Sequence, residues 1–230
     1  PGAGVFETLL VRDGVPVASD GHRARLAASV AALYGTTLPE DLPARMATAA
    51  RRVASVARMR LDCIPAADGI TTRVRTFALD LPRPPVEVRR VTLPGGIGAH
   101  KWIDRRLIEA LEAAVAPAQP LWCDLDGWVL ESARANVFAV DYAGAVVTPP
   151  LDGRILAGVT RAALIERARD AGLEVREEGF GVDELQGAGE LFVTGSLGGV
   201  EPVAAVDGEP APGLGAVAHL LAGREERRRG

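Results

Sequence analysis

Cysteine is scarce in this chain. The 230 residues carry only Cys63 and Cys123, with no C-x-x-C spacing and no histidine pair nearby, which argues against both a disulfide framework and a zinc site. A reducing, cytoplasmic setting is expected. No stretch approaches the roughly 20 apolar residues that a membrane span needs, and no basic-then-apolar signal segment opens the sequence. An excess of one charge is missing too: 26 Lys+Arg against 30 Asp+Glu leaves a net charge of −4. The basic residues are scattered, so neither nucleic acid nor a membrane surface is an expected partner. The chain begins at Pro1-Gly2-Ala3-Gly4 without a methionine, as expected of a trimmed terminus or a domain cut from a longer polypeptide. Its apolar fraction of 48% and its length allow a sizeable core in one large domain or two small ones.

Patterning supplies the organisation. Val5 to Val11 is rich in strand formers and leads through Asp13-Gly14 into Val15 to Ala18, which predicts a hairpin. Helical spacing of Leu26, Val30, Leu33 and Tyr34, stopped by Gly35, predicts a helix from about Arg23 to Tyr34. A second helix is predicted from about Leu42 to Arg58, and a strand from Ile70 to Leu79 after the turn Asp68-Gly69. Residues 81–98 hold the densest interior Pro/Gly cluster and are the candidate domain boundary. Beyond it, helices near residues 104–116, 160–171 and 213–222 are interleaved with strands near 120–124, 136–141, 173–178 and 190–195. The expected fold class is therefore mixed α/β (α+β), with a loose charged tail from Arg224.

Four segments could carry chemistry. Very few of the 26 basic residues are lysines, and Lys101 stands in His100-Lys101-Trp102 after a Gly-rich stretch, where partial desolvation would make its amine a nucleophile toward a carbonyl. A surface lysine paired with a carboxylate is the plainer reading. Glu131, in Leu130-Glu131-Ser132-Ala133-Arg134-Ala135-Asn136, could pair with a pyridinium nitrogen or merely with Arg134. Gly158 leads into a helix whose first turn, at Val159 and Thr160, offers unsatisfied N–H groups to a phosphate, or is an ordinary capped start. Thr194-Gly195-Ser196-Leu197-Gly198-Gly199 could hold an anion at a strand end or simply turn the chain.

Taken together and in order, these motifs resemble the class IV (fold type IV) pyridoxal-phosphate enzymes. The resemblance rests on Gly4-Val5-Phe6-Glu7-Thr8, His22-x-x-Arg25-Leu26, Lys101 with Asp104-Arg105, and Glu131 before Asn136-Val137-Phe138. Thr148-Pro149-Pro150, Gly158-Val159-Thr160-Arg161 and Glu201-Pro202-Val203 complete it. It implies a two-domain fold with the cofactor, pyridoxal 5'-phosphate, in the cleft between domains. The small N-terminal domain would span residues 1–92 with its first strand missing, followed by a linker at 93–98 and a large domain at 99–230. It also implies that Lys101 is the Schiff-base lysine and proton shuttle, that Glu131 pairs with the pyridine nitrogen, and that Arg25, Val159, Thr160 and Ser196 bind the phosphate. His22 is expected to help fix the helix start beside Arg25. Ala157, where proline is common, and Leu197-Gly198-Gly199, where small polar residues are common, depart from the transaminase pattern.

Within the family, the chain lacks the Arg-x-His carboxylate trap of D-amino-acid aminotransferases after the strand ending at Leu79. The run from His100 to Arg105 looks most like lyase domains fused behind an aminodeoxychorismate synthase. The expected activity is 4-amino-4-deoxychorismate lyase, releasing pyruvate to give 4-aminobenzoate, a folate precursor. The alternatives are a class IV aminotransferase for branched-chain or D-amino acids and, less favoured, a catalytically silent cofactor-binding domain. The expected partners are a small amino substrate, a second copy in a homodimer, and aminodeoxychorismate synthase. Arg73, Arg75, Arg105 and Arg106 could meet substrate carboxylates or belong to a solvated face.

Overall fold

The computed structural model describes residues 4–67, 69–81 and 83–227. Two compact units emerge, Pro1–Pro82 with His100–Arg105, and Arg83–Ala99 with Arg106–Gly230. This grouping differs from the expected boundaries in two ways. The strand within residues 83–99 pairs inside the second unit, and the Lys101 segment returns to the first.

In the first unit, β1 (Val5–Arg12) and β2 (Val15–Pro16) form the expected hairpin, followed by α1 (Ser19–Tyr34), α2 (Leu42–Ala50), β3 (Val56–Ala66) and β4 (Gly69–Ala78). The sheet order is β2-β1-β3-β4. α1 ends at Gly35, whose φ of 60° suits a residue without a Cβ and whose N–H reaches Ala31 O. Asp68 of the expected turn lies outside the described residues. The predicted second helix is corrected: it stops at Ala50, and residues 56–58 open β3. Ala57, Met59, Leu61 and Cys63 are buried while Arg58 and Arg60 between them are less so, a period of two that pairing with β1 enforces over the helical propensity of Ala, Arg and Met. Val5, Leu9 and Val11 meet Leu26, Val30 and Met46 of the helices in the unit's core.

The second unit runs β5 (Val86–Thr92), α3 (Arg106–Val115), β6 (Gln119–Cys123), β7 (Val129–Ser132), β8 (Ala135–Val140), β9 (Val146–Thr148), α4 (Val159–Asp170), β10 (Val175–Glu177), α5 (Val182–Gln186), β11 (Glu190–Gly195), β12 (Gly199–Val206), β13 (Glu209–Pro210) and α6 (Ala216–Arg227). The sheet order is β10-β9-β8-β11-β12-β5-β6-β7, and β7 also pairs with β8. Six strands therefore close a ring, which removes their free edges. Val88, Leu121, Val137, Val193 and Val203 share one buried cluster. Phe138 and Phe192, stacked with centroids 5.5 Å apart, pack in a second cluster with Leu164 of α4 and Leu221 of α6. α6 continues to Arg227, past the point where a loose tail was expected. No described helix is long and apolar enough to cross a membrane.

Candidate active site

Lys101 is the only lysine of the chain; the other 25 basic residues are arginines. Its main chain is sewn to β1. Phe6 N–H donates to Lys101 O at 2.8 Å, Ile103 N–H donates to Gly4 O at 2.8 Å, and Val5 and Trp102 form an antiparallel bridge. His100, one residue earlier, places Nδ1 3.0 Å from Ser29 Oγ on α1. A backbone held at both flanks aims the Lys101 side chain, and Nζ lies 5.0 Å from the centroid of the Phe6 ring.

Glu7, the next residue of β1, points the opposite way and is buried. Its carboxylate accepts from Arg25 Nε and NH2, both at 2.7 Å, and lies 2.8 Å from His22 Nδ1. The expectation for His22 thus takes a definite form, in which it and Arg25 converge on one carboxylate. Glu7 carried no assigned role in the sequence. Its signal was the spacing of His22 and Arg25, which places both on the β1-facing side of α1. Burial alone would raise the Glu7 carboxyl, but the hydrogen bonds from His22 and Arg25 outweigh it and hold the group at about 2. Because this is below the ordinary 4.5, the ionised form is favoured by folding. The contribution is complete above pH 4.5 and is lost as pH falls toward 2. On that shift Glu7 contributes about 3 kcal/mol at neutral pH. Glu7→Gln should therefore melt well below wild type at pH 7, with the gap narrowing as the pH falls through that window. A gap independent of pH would show that the pair contributes through packing alone.

In the second unit, Glu131 lies within β7 and is buried. Leu156 N–H donates to Oε1 at 3.1 Å and Asn136 Nδ2 donates to Oε2 at 3.2 Å, while the same Asn136 amide also reaches Leu156 O at 3.0 Å. Both carboxylate oxygens are thereby oriented by neutral donors. Strand register places Asn136 opposite Glu131 on one side and opposite Thr194 of β11 on the other. Among the described residues, Thr194 Oγ1 is buried without a hydrogen-bond partner. Ser196 follows in the turn between β11 and β12.

Gly158 precedes α4 and has no side chain to cap it. The first helical bond from this residue runs from Ala162 N–H to Gly158 O, so the N–H groups of Val159 and Thr160 precede the helix's own hydrogen-bonding ladder. A Cβ at Gly158 would come within 2.0 Å of Asn136 Oδ1. Gly158→Ala should therefore displace Asn136 from Glu131 and cost about 1–3 kcal/mol. Melting should fall and the dissociation constant for pyridoxal phosphate should rise; an unchanged constant would separate the helix start from cofactor binding. Asn136, the Leu156 N–H and Thr194 were not singled out individually in the sequence, because only strand pairing makes them neighbours of Glu131. The structure gathers Glu131 with Asn136 and Gly158, and separately brings the Lys101 segment and Glu7-Arg25 onto β1.

A phosphorylated pyridine aldehyde asks for an amine, an acid partner for its ring nitrogen, and backbone or guanidinium donors for its phosphate. Groups of each kind occur in this mixed α/β chain, the Lys101 amine and the Arg25 guanidinium in the first unit, the buried Glu131 carboxylate and the Val159 and Thr160 N–H groups in the second. Comparison with known proteins agrees. The chain belongs to the class IV aminotransferase family, a pyridoxal-phosphate-dependent family whose profile matches residues 4–206. It is 39% identical over 85 residues to the branched-chain-amino-acid aminotransferase of Salmonella typhimurium, a stretch covering 37% of this chain and 27% of that enzyme. It is likewise 39% identical over 119 residues to the mitochondrial branched-chain amino acid aminotransferase 1 of Humulus lupulus, covering 49% and 30%. The chain thus spans less than a third of these curated relatives in the matched stretches. Among solved structures, the pyridoxal-phosphate-bound form of a hypothetical aminotransferase from Mycobacterium tuberculosis is similar at TM-score 0.82 and 25% identity, over 95% of this chain and 87% of that one. The "Putative 4-amino-4-deoxychorismate lyase" of Legionella pneumophila has TM-score 0.85 over 98% of this chain and 91% of that one. Its 22% identity speaks for the fold.

Proposed function

We propose that the chain is a pyridoxal-phosphate-dependent 4-amino-4-deoxychorismate lyase. The observation that carries this reading is the setting of its single lysine. Lys101 Nζ and the Arg60 guanidinium both lie over the Phe6 ring, and Arg58 and Arg75 stand on the same sheet face. Such surroundings suit a substrate bearing two carboxylates better than a branched aliphatic side chain.

The bound cofactor supplies an electron sink for the charge left when the carbon beside the substrate nitrogen loses its proton. Lys101 would hold the cofactor through its amine, and its Nζ, once released, would take that proton. Glu131, with both oxygens oriented by Leu156 N–H and Asn136, keeps the ring nitrogen protonated. Arg25, steered by Glu7, would offer a guanidinium to the phosphate, and the Val159 and Thr160 N–H groups and the Ser196 hydroxyl would offer donors to it from the second unit. The substrate ring then loses its side-chain ether: the carbon–oxygen bond breaks, the ring becomes aromatic, and the released enol takes up a proton to become pyruvate. Aminodeoxychorismate synthase would supply the substrate, and a homodimer is the assembly this reading carries.

The test incubates protein and pyridoxal phosphate with 4-amino-4-deoxychorismate and follows 4-aminobenzoate and pyruvate together. Equal formation of both supports the lyase. If neither forms although the cofactor is bound, the lyase reading falls. The second reading, an aminotransferase, is favoured by the names of the curated relatives and is then tested with branched-chain amino donors and keto-acid acceptors.

A further inference from the structure

The second unit buries a carboxyl that takes no part in holding Glu131. Glu201 lies near the start of β12, just after the turn at residues 196–198, and is only 6% exposed. β11 sets Val193 opposite it, and β5 opens with Val86 beside Val203. Neither valine offers a polar side chain. Oε2 lies 3.3 Å from Arg83 NH1, a long single contact to a guanidinium that is itself partly exposed. Oε1 is buried and has no hydrogen-bond partner among the described residues.

The turn leans on that carboxyl. A Cβ at Gly198 would fall 2.1 Å from both Cδ and Oε2 of Glu201, so only bare backbone fits at residue 198. On the ladder Thr194 pairs with Val200 and Val193 with Glu201, which puts Thr194 and Glu201 on opposite faces. The carboxyl therefore stands behind the turn whose Ser196 hydroxyl is offered to the phosphate. Burial raises this carboxyl above its ordinary value of 4.5, and Arg83 only partly offsets the rise. Among the described residues Arg83 is the charged group that meets it; Val193, Val86 and the run Ser196-Leu197-Gly198-Gly199 carry no charge. A second negative charge brought to the front of the turn raises a carboxyl in such dry surroundings further.

We infer that Glu201 is a proton site coupled to the turn in front of it, taking up a proton from solvent when the cofactor phosphate is seated at Ser196. Carboxylate and proton become a neutral carboxyl, and Oε1, which has no partner among the described residues, is the oxygen placed to carry the hydrogen. The proton returns to solvent when the phosphate leaves. Affinity for the phosphate should therefore fall as pH rises through the carboxyl's range, because a binding step that takes up a proton weakens when protons are scarce. The inference rests on the proposed role of Ser196 toward the cofactor phosphate and holds for a lyase and an aminotransferase alike.

Calorimetry of pyridoxamine 5'-phosphate binding to the protein freed of cofactor, in two buffers of different ionisation heat, counts the protons exchanged. This ligand carries the phosphate but no aldehyde, so condensation with Lys101 does not enter the count. Wild type should take up more protons than Glu201→Gln, by up to about one per chain. The glutamine is neutral at every pH. At alkaline pH Glu201→Gln should bind the ligand about tenfold more tightly than wild type, the change in affinity that matches a pKa displacement of about one, and at acidic pH the two should converge. Equal proton counts in the two proteins overturn the inference. Arg83→Gln supplies a test that does not need the Glu201 variant to fold: loss of the cation should move the pH range of proton uptake upward, and an unmoved range overturns the inference as well. If pyridoxamine 5'-phosphate fails to bind wild type, the phosphate role of the turn falls and the inference with it, whereas binding with equal proton counts removes the coupling alone.

Discussion

Lys101→Ala should abolish the absorption band of lysine-bound pyridoxal phosphate and reduce turnover by at least about a thousandfold, since it removes both the anchoring amine and the base. No other lysine exists in the chain to take its place. The fold should survive, because the segment is held through backbone bonds to Phe6 N–H and Gly4 O. The loss of a side chain over the Phe6 ring costs only about 1 kcal/mol. Lys101→Arg separates the two roles of the amine: it keeps a positive charge over Phe6 but has no group that condenses with an aldehyde at neutral pH. It should melt like wild type and remain as inactive as the alanine variant. Turnover retained in either variant would end the assignment of Lys101, and with it the reading of the first unit as the carrier of the reactive amine.

Glu131→Ala should leave pyridoxal phosphate bound yet lower kcat by about 100- to 1000-fold, the loss expected when a preorganised charge partner is removed. The cofactor stays because the phosphate donors and Lys101 do not depend on this side chain. Stability should also fall by about 1–3 kcal/mol, as the half-buried Leu156 N–H loses its acceptor and the Asn136 amide one of its two. Glu131→Gln distinguishes the causes. It retains a carbonyl oxygen for one donor and nearly the same volume, so its melting should lie closer to wild type, while kcat should stay low because the negative charge is gone. Near-normal kcat in Glu131→Gln would remove the carboxylate from the chemistry and leave it a structural acceptor joining β7, β8 and the Leu156 segment.

The physical difference between what was and was not legible in advance is one of range. The β1–β2 hairpin and the end of α1 at Gly35 are local: turn chemistry and a positive φ are written in adjacent residues. So was the start of α4 at Val159, because Gly158 precedes a helical period. β3 was missed as a strand over its first residues because Ala57, Arg58 and Met59 are good helix formers. Only the ladders to β1 on one side and β4 on the other give these residues a period of two. β7, β9 and β12 were likewise unassigned: β7 and β9 are runs of only four and three residues, and β12 carries an irregularity where it pairs with the distant β5.

The sequence by itself determined the chemical alphabet: a lone lysine, one carboxylate five residues before Asn136, a glycine-led helix, and a motif order that resembles a single enzyme family. Tertiary structure alone decided how those letters are held. Glu7 became the joint anchor of Arg25 and His22, Asn136 the brace of Glu131, and Arg83 the partner of Glu201. Each of these relations joins residues brought together by strand register or by a helix packing on a sheet, and a one-residue slip in register would turn every such side chain to the opposite face.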